Sequence, residues 1–323
     1  MDKQRSHFDR GIAKLGWLSV SVLLALLYGC EPQKTLRSPV IRLSGAVSLH
    51  GFSYAVYDES FRAWTSELGS RAVRSDGTDP DYFPYDASRT YWPEGHVYSF
   101  FAAGCDAVEP GEGACSFIRD GENVALELFN PDHDRDFLAA RALNRSKVSG
   151  VSMEFRHVGA KLSSLNIKPD AWLAWLDSRE LGTVADLIIT SVKISDAESQ
   201  EYRFSRTGTA LFTEESFDYG SSPDVVAGAL SGCSAGLRTK GTSLPVNYHT
   251  FPGRHRLSIS FHAVTYSGAA VLGEKTLSGY FTIGQGESAS VDVTLDPVND
   301  TLEISLAFDV AAWENGGAGQ VYE

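Results

Sequence analysis

Apolar and polar residues alternate with a period of two along most of the chain, and helical periodicity is rare. Such alternation is typical of strands that bury one face, and the Gly, Asp, Pro and Ser clusters between the segments favour turns. The pattern therefore predicts an all-β fold of β-sandwiches. The predicted strands are His96–Ala102, Asn123–Phe129, Val151–Val158, Leu187–Ile194, Arg256–Val264, Ala289–Leu295 and Leu302–Phe308.

Two segments have helical character instead. Asp170–Gly182 begins with an aspartate suited to an N-cap and ends with a glycine suited to the C′ position. Its Trp172, Trp175 and Leu176 fall on one face, and we interpret the tryptophans as packing residues rather than as a sugar platform. Arg135–Leu143 is a second, shorter helix candidate.

Length and turn content suggest the domain organisation. About 290 residues beyond Cys30 can bury a large core and suggest two domains. With the helix near the junction, we predict an N-terminal β-sandwich domain at 30–168 and a C-terminal one at 169–323. Three tracts rich in small and polar residues are predicted to be flexible: Ser70–Asp86, Phe217–Gly236 and Glu314–Glu323.

The N-terminus has the form of an export signal. The apolar run Leu15–Tyr28 is 14 residues long, whereas a membrane-spanning helix needs about 20. Basic residues precede the run, as in the n-region of a signal peptide. They are Lys3, Arg5, Arg10 and Lys14.

The signal ends in Leu27-Tyr28-Gly29-Cys30, which resembles the bacterial lipobox. We therefore predict that residues 1–29 are removed and that Cys30 is lipidated, so that acyl chains such as palmitate hold the protein to a membrane. The alternative is a plain signal peptide followed by a chance cysteine.

Charge argues against one class of partner. The precursor has 28 basic and 41 acidic residues, a net charge of −13, and residues 1–29 hold four of the basic and two of the acidic ones. The mature chain is therefore more acidic still. Such a surface repels phosphate backbones, so we expect no nucleic-acid partner.

Two cysteines lie close together in the sequence. Cys105 and Cys115 flank a nine-residue segment that a disulfide could close in an oxidising envelope. Two thiols are the equal alternative. Cys233 would then have no cysteine left to pair with, and we expect it to be a free thiol.

No catalytic constellation stands out. Gly232–Gly236 matches the G-x-S-x-G letters of a hydrolase turn, but Gly241 and Pro245 do not suit the helix that must follow, so we do not expect Ser234 to be a nucleophile. Asn130–Asp136 gathers three aspartates and His133 but lacks calcium-loop spacing, and is predicted to be a solvated turn. Without zinc motifs or a phosphate-binding loop, the sequence predicts no enzyme, metal or cofactor.

Several motifs together resemble a known family. Tyr91–Cys105, Asp136–Leu143 and Val151–Ile167 occur in the order and spacing of the fimbrillin-like lipoproteins of Bacteroidales, the type V pilins. The most specific piece resembles that family's F-x-H-x-x-A-K-L and consists of Phe155, His157, Ala160, Lys161 and Leu162. Further matching pieces are Leu187–Ile194, Phe251–Phe261 and Val310–Gly317, so the resemblance covers most of the mature chain.

The resemblance implies two tandem transthyretin-like (Ig-like) β-sandwiches and a subunit of a surface fimbria or a related anchored protein. It supplies no catalytic residues. In that family the lipidated precursor reaches the outer membrane, a trypsin-like protease removes an N-terminal strand, and the vacated groove accepts a strand of the next subunit. The implied partners are other fimbrial subunits, the outer membrane and host or bacterial surface ligands.

These implications can be assigned to segments of this chain. Pro39–Leu49 is the candidate for the removable strand, and Trp313–Tyr322 is a candidate donor for a neighbour, with a frayed tail as the alternative. The candidate processing sites are Arg71 and Arg74, although cleavage there would also remove Phe52–Tyr57. Alternatively, the protein is not processed and stays anchored.

A rival hypothesis is a monomeric surface lipoprotein that binds glycans or host ligands. Exposed tryptophans such as Trp64 or Trp92 would then act as stacking platforms. Two residues of the family motif are expected to have structural roles: His157 as a buried histidine with a satisfied ring, and Lys161 as a lysine that reaches solvent from a strand end.

Overall fold

A computed structural model of the protein describes residues 41–44, 49–74, 81–89, 91–105, 113–146, 150–178, 184–213, 216–225, 237–238, 243–265 and 273–308. The predictions for Cys30, Cys233, Ser234 and the segment Trp313–Tyr322 lie outside these residues. Within them, no helix is long and apolar enough to cross a membrane.

The first part of the described chain is built from strands. In chain order they are β1 (Leu43–Ser44), β2 (Gly51–Asp58), β3 (Ala63–Thr65), β4 (Arg71–Arg74), β5 (Asp81–Pro84), β6 (Tyr98–Cys105), β7 (Cys115–Asp120), β8 (Asn123–Phe129), β9 (Phe137–Arg145), β10 (Val151–Ser152) and β11 (Arg156–His157).

The second part contains a short helix and further strands. They are β12 (Ala160–Lys168), α1 (Asp170–Asp177), β13 (Val184–Ser195), β14 (Ser199–Arg203), β15 (Asp224–Val225), β16 (Leu237–Arg238), β17 (Ser243–Thr250), β18 (Gly253–Thr265), β19 (Lys275–Ile283), β20 (Ser288–Asp296) and β21 (Thr301–Phe308). The predicted all-β fold with one short helix is confirmed.

The described strands form four sheets. A nine-stranded sheet has the order β10-β1-β5-β4-β2-β6-β9-β11, with β3 paired to β2, and a three-stranded sheet has the order β14-β8-β7. A four-stranded sheet, β17-β12-β20-β21, faces a five-stranded sheet in which β15, β13, β18 and β19 follow one another and β16 pairs with β13.

Three hydrophobic cores lie between these sheets. The N-terminal core collects side chains from one face of the nine-stranded sheet, including Leu43, Phe52 and Phe100. The middle core lies between the opposite face of that sheet and the three-stranded sheet, and includes Phe101 and Leu126. The C-terminal core fills the sandwich of the four- and five-stranded sheets and takes in α1.

The segment predicted as a second helix is instead strand β9, so that prediction was wrong. Leu138, Ala140 and Ala142 belong to the N-terminal core, whereas Phe137 and Ala139 belong to the middle core. Because both faces of β9 are buried, its sequence has no polar residue at every second position. A short apolar run of this kind can be read as helix or strand from the sequence alone.

Two further predictions need correction. Ser70–Asp86 was predicted to be flexible, but β4 and β5 pair there, with Val73 opposite Phe83. Val151–Val158 was predicted as one strand, but it contains the separate strands β10 and β11, which lie at opposite ends of the nine-stranded sheet. β10 pairs with β1, which is more than 100 residues away in sequence, and local alternation does not reveal such a partner.

The helix α1 is shorter than predicted. Pro169, rather than Asp170, is the N-cap, and Ser178 is the C-cap. Since β12 continues to Lys168, only one residue connects the strand to the helix. Trp172 packs edge-on against Phe261 in the C-terminal core, which agrees with the packing interpretation of this tryptophan.

Strand β12 joins the C-terminal core through Ala160, Leu162, Leu165 and Ile167. Strand β14 belongs to the predicted C-terminal domain by its sequence position, but it pairs with β8 of the predicted N-terminal domain in the three-stranded sheet. The domain limits at 30–168 and 169–323 stay a prediction.

The two sheets of the C-terminal sandwich approach closely where β19 meets β21. A Cβ atom on Gly279 would lie 2.5 Å from the carbonyl oxygen of Leu302. The Thr301 hydroxyl donates to the carbonyl of Ser278 at 2.7 Å, which fixes the same approach. Only glycine leaves room for the neighbouring backbone here.

We therefore expect Gly279→Ala to lower the free energy of unfolding by about 1–3 kcal/mol, the usual range for overpacking a core. The matched control is Gly273→Ala, because a Cβ atom there meets no atom within 4 Å. Chemical denaturation of both variants measures the difference. Equal stability of the two variants would contradict the close approach of β19 and β21.

Candidate strand-exchange interface

The predicted removable segment forms the short strand β1, which is inserted between two other strands. β1 runs parallel to β10 and antiparallel to β5, with Leu43 opposite both Val151 and Tyr82. The amide of Val151 donates to the carbonyl of Arg42 at 2.8 Å. Loss of this segment would therefore leave β5 and β10 each without a main-chain partner on one side.

The side chains of this segment alternate between core and solvent. Ile41 and Leu43 are fully buried in the N-terminal core, whereas the side chain of Arg42 is 55% exposed. Leu49 is also buried in that core, and glycine at position 104 leaves room for it, since a Cβ there would lie 3.0 Å from Leu49 Cδ1. Burying each aliphatic side chain contributes about 1.5–3 kcal/mol.

Tyr82 connects this segment to β4. Its hydroxyl donates to the carbonyl of Leu49 at 2.8 Å, and its ring packs 4.8 Å from that of Phe52. Burial raises the pKa of Tyr82, so the phenol stays neutral and keeps its donor proton. The guanidinium of Arg74 lies 4.9 Å from the centre of the same ring. The candidate processing site Arg74 thus packs beside the groove that holds the first strand.

The other candidate processing site, Arg71, lies in a strand that is paired on both sides. It is opposite Ser53 in β2, and its carbonyl accepts from the amide of Tyr85 at 2.9 Å. Asp86 accepts hydrogen bonds from Ser70 and from the Arg71 amide. Burial of Asp86 opposes ionisation, but these hydrogen bonds lower its pKa and keep it a carboxylate. Processing at Arg71 or Arg74 stays a prediction.

Arg62 is more exposed than the candidate processing site Arg71, whose side chain is 41% exposed. It lies in the turn between β2 and β3, has a positive φ of 51°, and its side chain is 76% exposed. Its guanidinium pairs with Glu122 across the surface. The sequence alone did not single out this arginine, because only the pairing of β2 with β3 shows that it lies at a hairpin tip.

Cys105 and Cys115 come together at one edge of the middle core. Cys105 ends β6 and is buried, and Cys115 begins β7 and packs against the same core. Both are thiols in the structure. Burial, with a smaller contribution from Cys105, raises the pKa of the Cys115 thiol, which makes it unreactive as a nucleophile. The disulfide between them stays a prediction.

The structure brings two sequence motifs together. His157 of the family motif places Nδ1 2.9 Å from Asp136 Oδ1, so its ring is satisfied as expected, although it is half-buried rather than buried. Asp132 and Asp134 are exposed, as predicted for a solvated turn, but His133 between them is fully buried, which the sequence did not indicate. Among the described residues, no group of three or more His, Cys, Asp or Glu is arranged to hold a metal.

The tryptophans proposed as stacking platforms are not free surface rings. Trp92 is buried in the N-terminal core, so its prediction as an exposed platform was wrong. Trp64 is half-buried, donates from Nε1 to the carbonyl of Gly121 at 2.8 Å, and packs 5.0 Å from the ring of Tyr57. Both rings therefore serve packing, and the sequence could not reveal which tryptophans lie beneath the sheets.

No protein-family model and no curated protein matches the sequence. Among solved structures, a fimbrial protein from Bacteroides vulgatus is 13% identical, with 83% of this chain and 99% of that chain covered at a TM-score of 0.45. A fimbrial assembly protein from Parabacteroides distasonis is 11% identical, with 84% and 98% covered at a TM-score of 0.32. Further matches are provisionally described as cell adhesion proteins of Bacteroides. By their descriptions, the matched structures are fimbrial or adhesion proteins of Bacteroides and Parabacteroides.

The buried side chains of the first strand make a stability prediction possible. We expect Leu43→Ala to lower the free energy of unfolding by about 2–5 kcal/mol, the range for large-to-small changes in a core. Arg42→Ala is the matched control, since its side chain faces solvent and we expect a change within about 0.5 kcal/mol. Urea denaturation measures both. Equal midpoints for both variants would mean that the first strand is not part of the cooperative fold.

The arginines of this region also differ in protease access. Exposed loop tips are the preferred sites of proteolytic nicking. We therefore expect brief trypsin treatment of the folded protein to produce a fragment beginning at Ala63 before any fragment beginning at Ala72. Mass spectrometry and N-terminal sequencing identify the fragments. Arg62→Gln should remove the early fragment and Arg71→Gln should not, and earlier cleavage at Arg71 would show that β4 opens readily.

Proposed function

We propose that the protein is a structural and adhesive fimbrial subunit that is exported as a lipoprotein and assembled by strand exchange at the cell surface. Its partners are other subunits of the same fimbria, and Cys30 provides the lipid anchor to the outer membrane. The single observation that carries the proposal is the insertion of the first strand between β5 and β10, with Ile41 and Leu43 in the N-terminal core.

Strand exchange is favoured by the form of this insertion. An extended segment that supplies main-chain pairing to two neighbours and alternate side chains to a core can be replaced by another segment of similar pattern. The requirement is a chain of alternating apolar residues, not a particular sequence. Among the described residues of this segment, Leu43 and Ser44 are the paired positions of β1.

Processing by a trypsin-like protease belongs to the same proposal. Cleavage after Arg71 would release β1, β2 and β3, and cleavage after Arg74 would release β4 as well. β2 pairs with β6 on one side and with β3 and β4 on the other. An incoming segment would then have to fill the place of a buried central strand as well as that of β1. The groove left by β1 and β2 together would be larger and more apolar than the groove left by β1 alone. Its occupant would therefore bind more tightly.

The proposal is tested with surface material sheared from the native host and analysed by immunoblot with and without boiling in detergent. Strand-exchanged subunits separate only on harsh denaturation, because main-chain pairing and core contacts must be lost together. We expect a ladder of bands in the unheated lane that collapses to one band on boiling. N-terminal sequencing of that band reports whether it begins after Arg71 or Arg74.

Cys30→Ser tests the anchor, and Cys233→Ser is the matched control. We expect Cys30→Ser to abolish membrane association of the precursor and Cys233→Ser to leave it unchanged. A single band in both lanes that stays with the outer membrane and is released by Cys30→Ser would reject the fimbrial proposal. That result would instead favour an anchored monomer that binds surface ligands.

A further inference from the structure

A cluster of buried polar side chains lies where the middle core meets the C-terminal core. At its centre is Asp196, which follows β13 and whose side chain has no exposed surface. Its carboxylate accepts hydrogen bonds from the hydroxyls of Thr250 at 2.5 Å and Tyr248 at 3.1 Å, and from the amide of Ala197 at 2.8 Å. A buried carboxylate is costly unless a cation balances it.

His255, at the start of β18, is fully buried beside this carboxylate. Its Nδ1 lies 2.9 Å from the carbonyl oxygen of Ser195, and its Nε2 lies 2.9 Å from the carbonyl oxygen of Phe251. A carbonyl oxygen can only accept a hydrogen bond. A neutral imidazole has one N–H and one lone pair, so one of the two contacts would be repulsive. Both contacts are favourable only when the ring carries two protons.

The neighbouring hydroxyl supports the same assignment. Thr250 Oγ1 lies 3.3 Å from His255 Nε2 and 2.5 Å from Asp196 Oδ2. Because a carboxylate accepts only, the threonine proton points to Asp196, and Oγ1 presents a lone pair to the histidine. Every polar atom that faces the ring nitrogens is therefore an acceptor.

Aromatic rings cover both faces of the histidine. The ring of Tyr219 stacks at 4.9 Å and that of Phe281 at 5.3 Å, each tilted by 22°. The face of an aromatic ring carries partial negative charge and attracts a cation. Asp196 Oδ1 lies 4.0 Å from His255 Nδ1 and supplies a full negative charge.

The remaining ionisable groups around the pair do not replace this cation. Burial, with a further contribution from Asp196, raises the pKa values of Tyr202, Tyr219 and Tyr248, so these phenols stay neutral. His133 Nδ1, 3.4 Å from Asp196 Oδ2, donates to the carbonyl of His249 at 3.1 Å. Its Nε2 has no hydrogen-bond partner, so no acceptor there favours a second proton on this ring. Outside the cluster, Asp218 adds a second negative charge that interacts with His255.

We propose that His255 is an imidazolium in the folded protein and forms with Asp196 a buried ion pair that locks the middle core to the C-terminal core. The lock connects the ends of β13 and β17 and the start of β18. It also reaches Phe251 and Tyr219 of the middle core and Phe281 of the C-terminal core. When the proton is lost, one carbonyl faces a lone pair and Asp196 is left without its cation, so both contacts turn unfavourable together.

The direct test is NMR of the unmodified full chain with ¹⁵N-labelled histidine at pH 7.5. We expect both ring nitrogens of His255 to show the shifts of protonated nitrogens, with cross-peaks that identify the imidazolium. His255→Gln assigns the signal by its disappearance. A spectrum in which one His255 nitrogen has the shift of an unprotonated ring nitrogen would overturn the proposal, whatever the stability of the variants.

A second test measures the coupling between the two side chains by urea denaturation of His255→Gln, Asp196→Asn and the double variant. We expect the double variant to lose less stability than the sum of the two single changes, because both single changes break the same ion pair. The matched control combines Asp196→Asn with His262→Gln, on the same strand but half-buried on the opposite face, and its effects should add. Additive effects of His255→Gln and Asp196→Asn would contradict the lock.

Discussion

The central strands of the nine-stranded sheet must bury apolar side chains on both faces while pairing their main chains on both edges. In β6, Phe100 and Ala102 enter the N-terminal core, whereas Phe101 and Ala103 enter the middle core. A strand in this position has no solvent-facing side, so a shift of register by one residue would exchange the contents of the two cores. The positions of β2, β6 and β9 therefore fix both cores at once, and the remaining strands arrange around them.

The first strand takes part in this arrangement only at its periphery. β1 lies between β5 and β10, and its segment contributes Ile41 and Leu43 to the N-terminal core, in contrast to β2, where nearly every side chain is buried. The centre of the sheet therefore has more buried contacts than its margin.

The middle core is joined to the C-terminal core by a different kind of interaction. Hydrophobic contacts are nondirectional, whereas the hydrogen bonds of Asp196 and His255 require defined positions of Ser195, Thr250 and Phe251. A buried polar cluster of this kind contributes specificity of arrangement more than net stability.

The alternation of apolar and polar residues by itself determined the all-β class and four strands of the C-terminal sandwich, namely β13, β18, β20 and β21, because strands such as β20 have one buried face. Only the tertiary structure decided that β9 is a strand, that Trp92 is buried, that Arg62 lies at a hairpin tip, and that His133 and His255 meet Asp196. A strand covered on both faces loses its period of two, and contacts between residues more than 50 positions apart leave no local pattern.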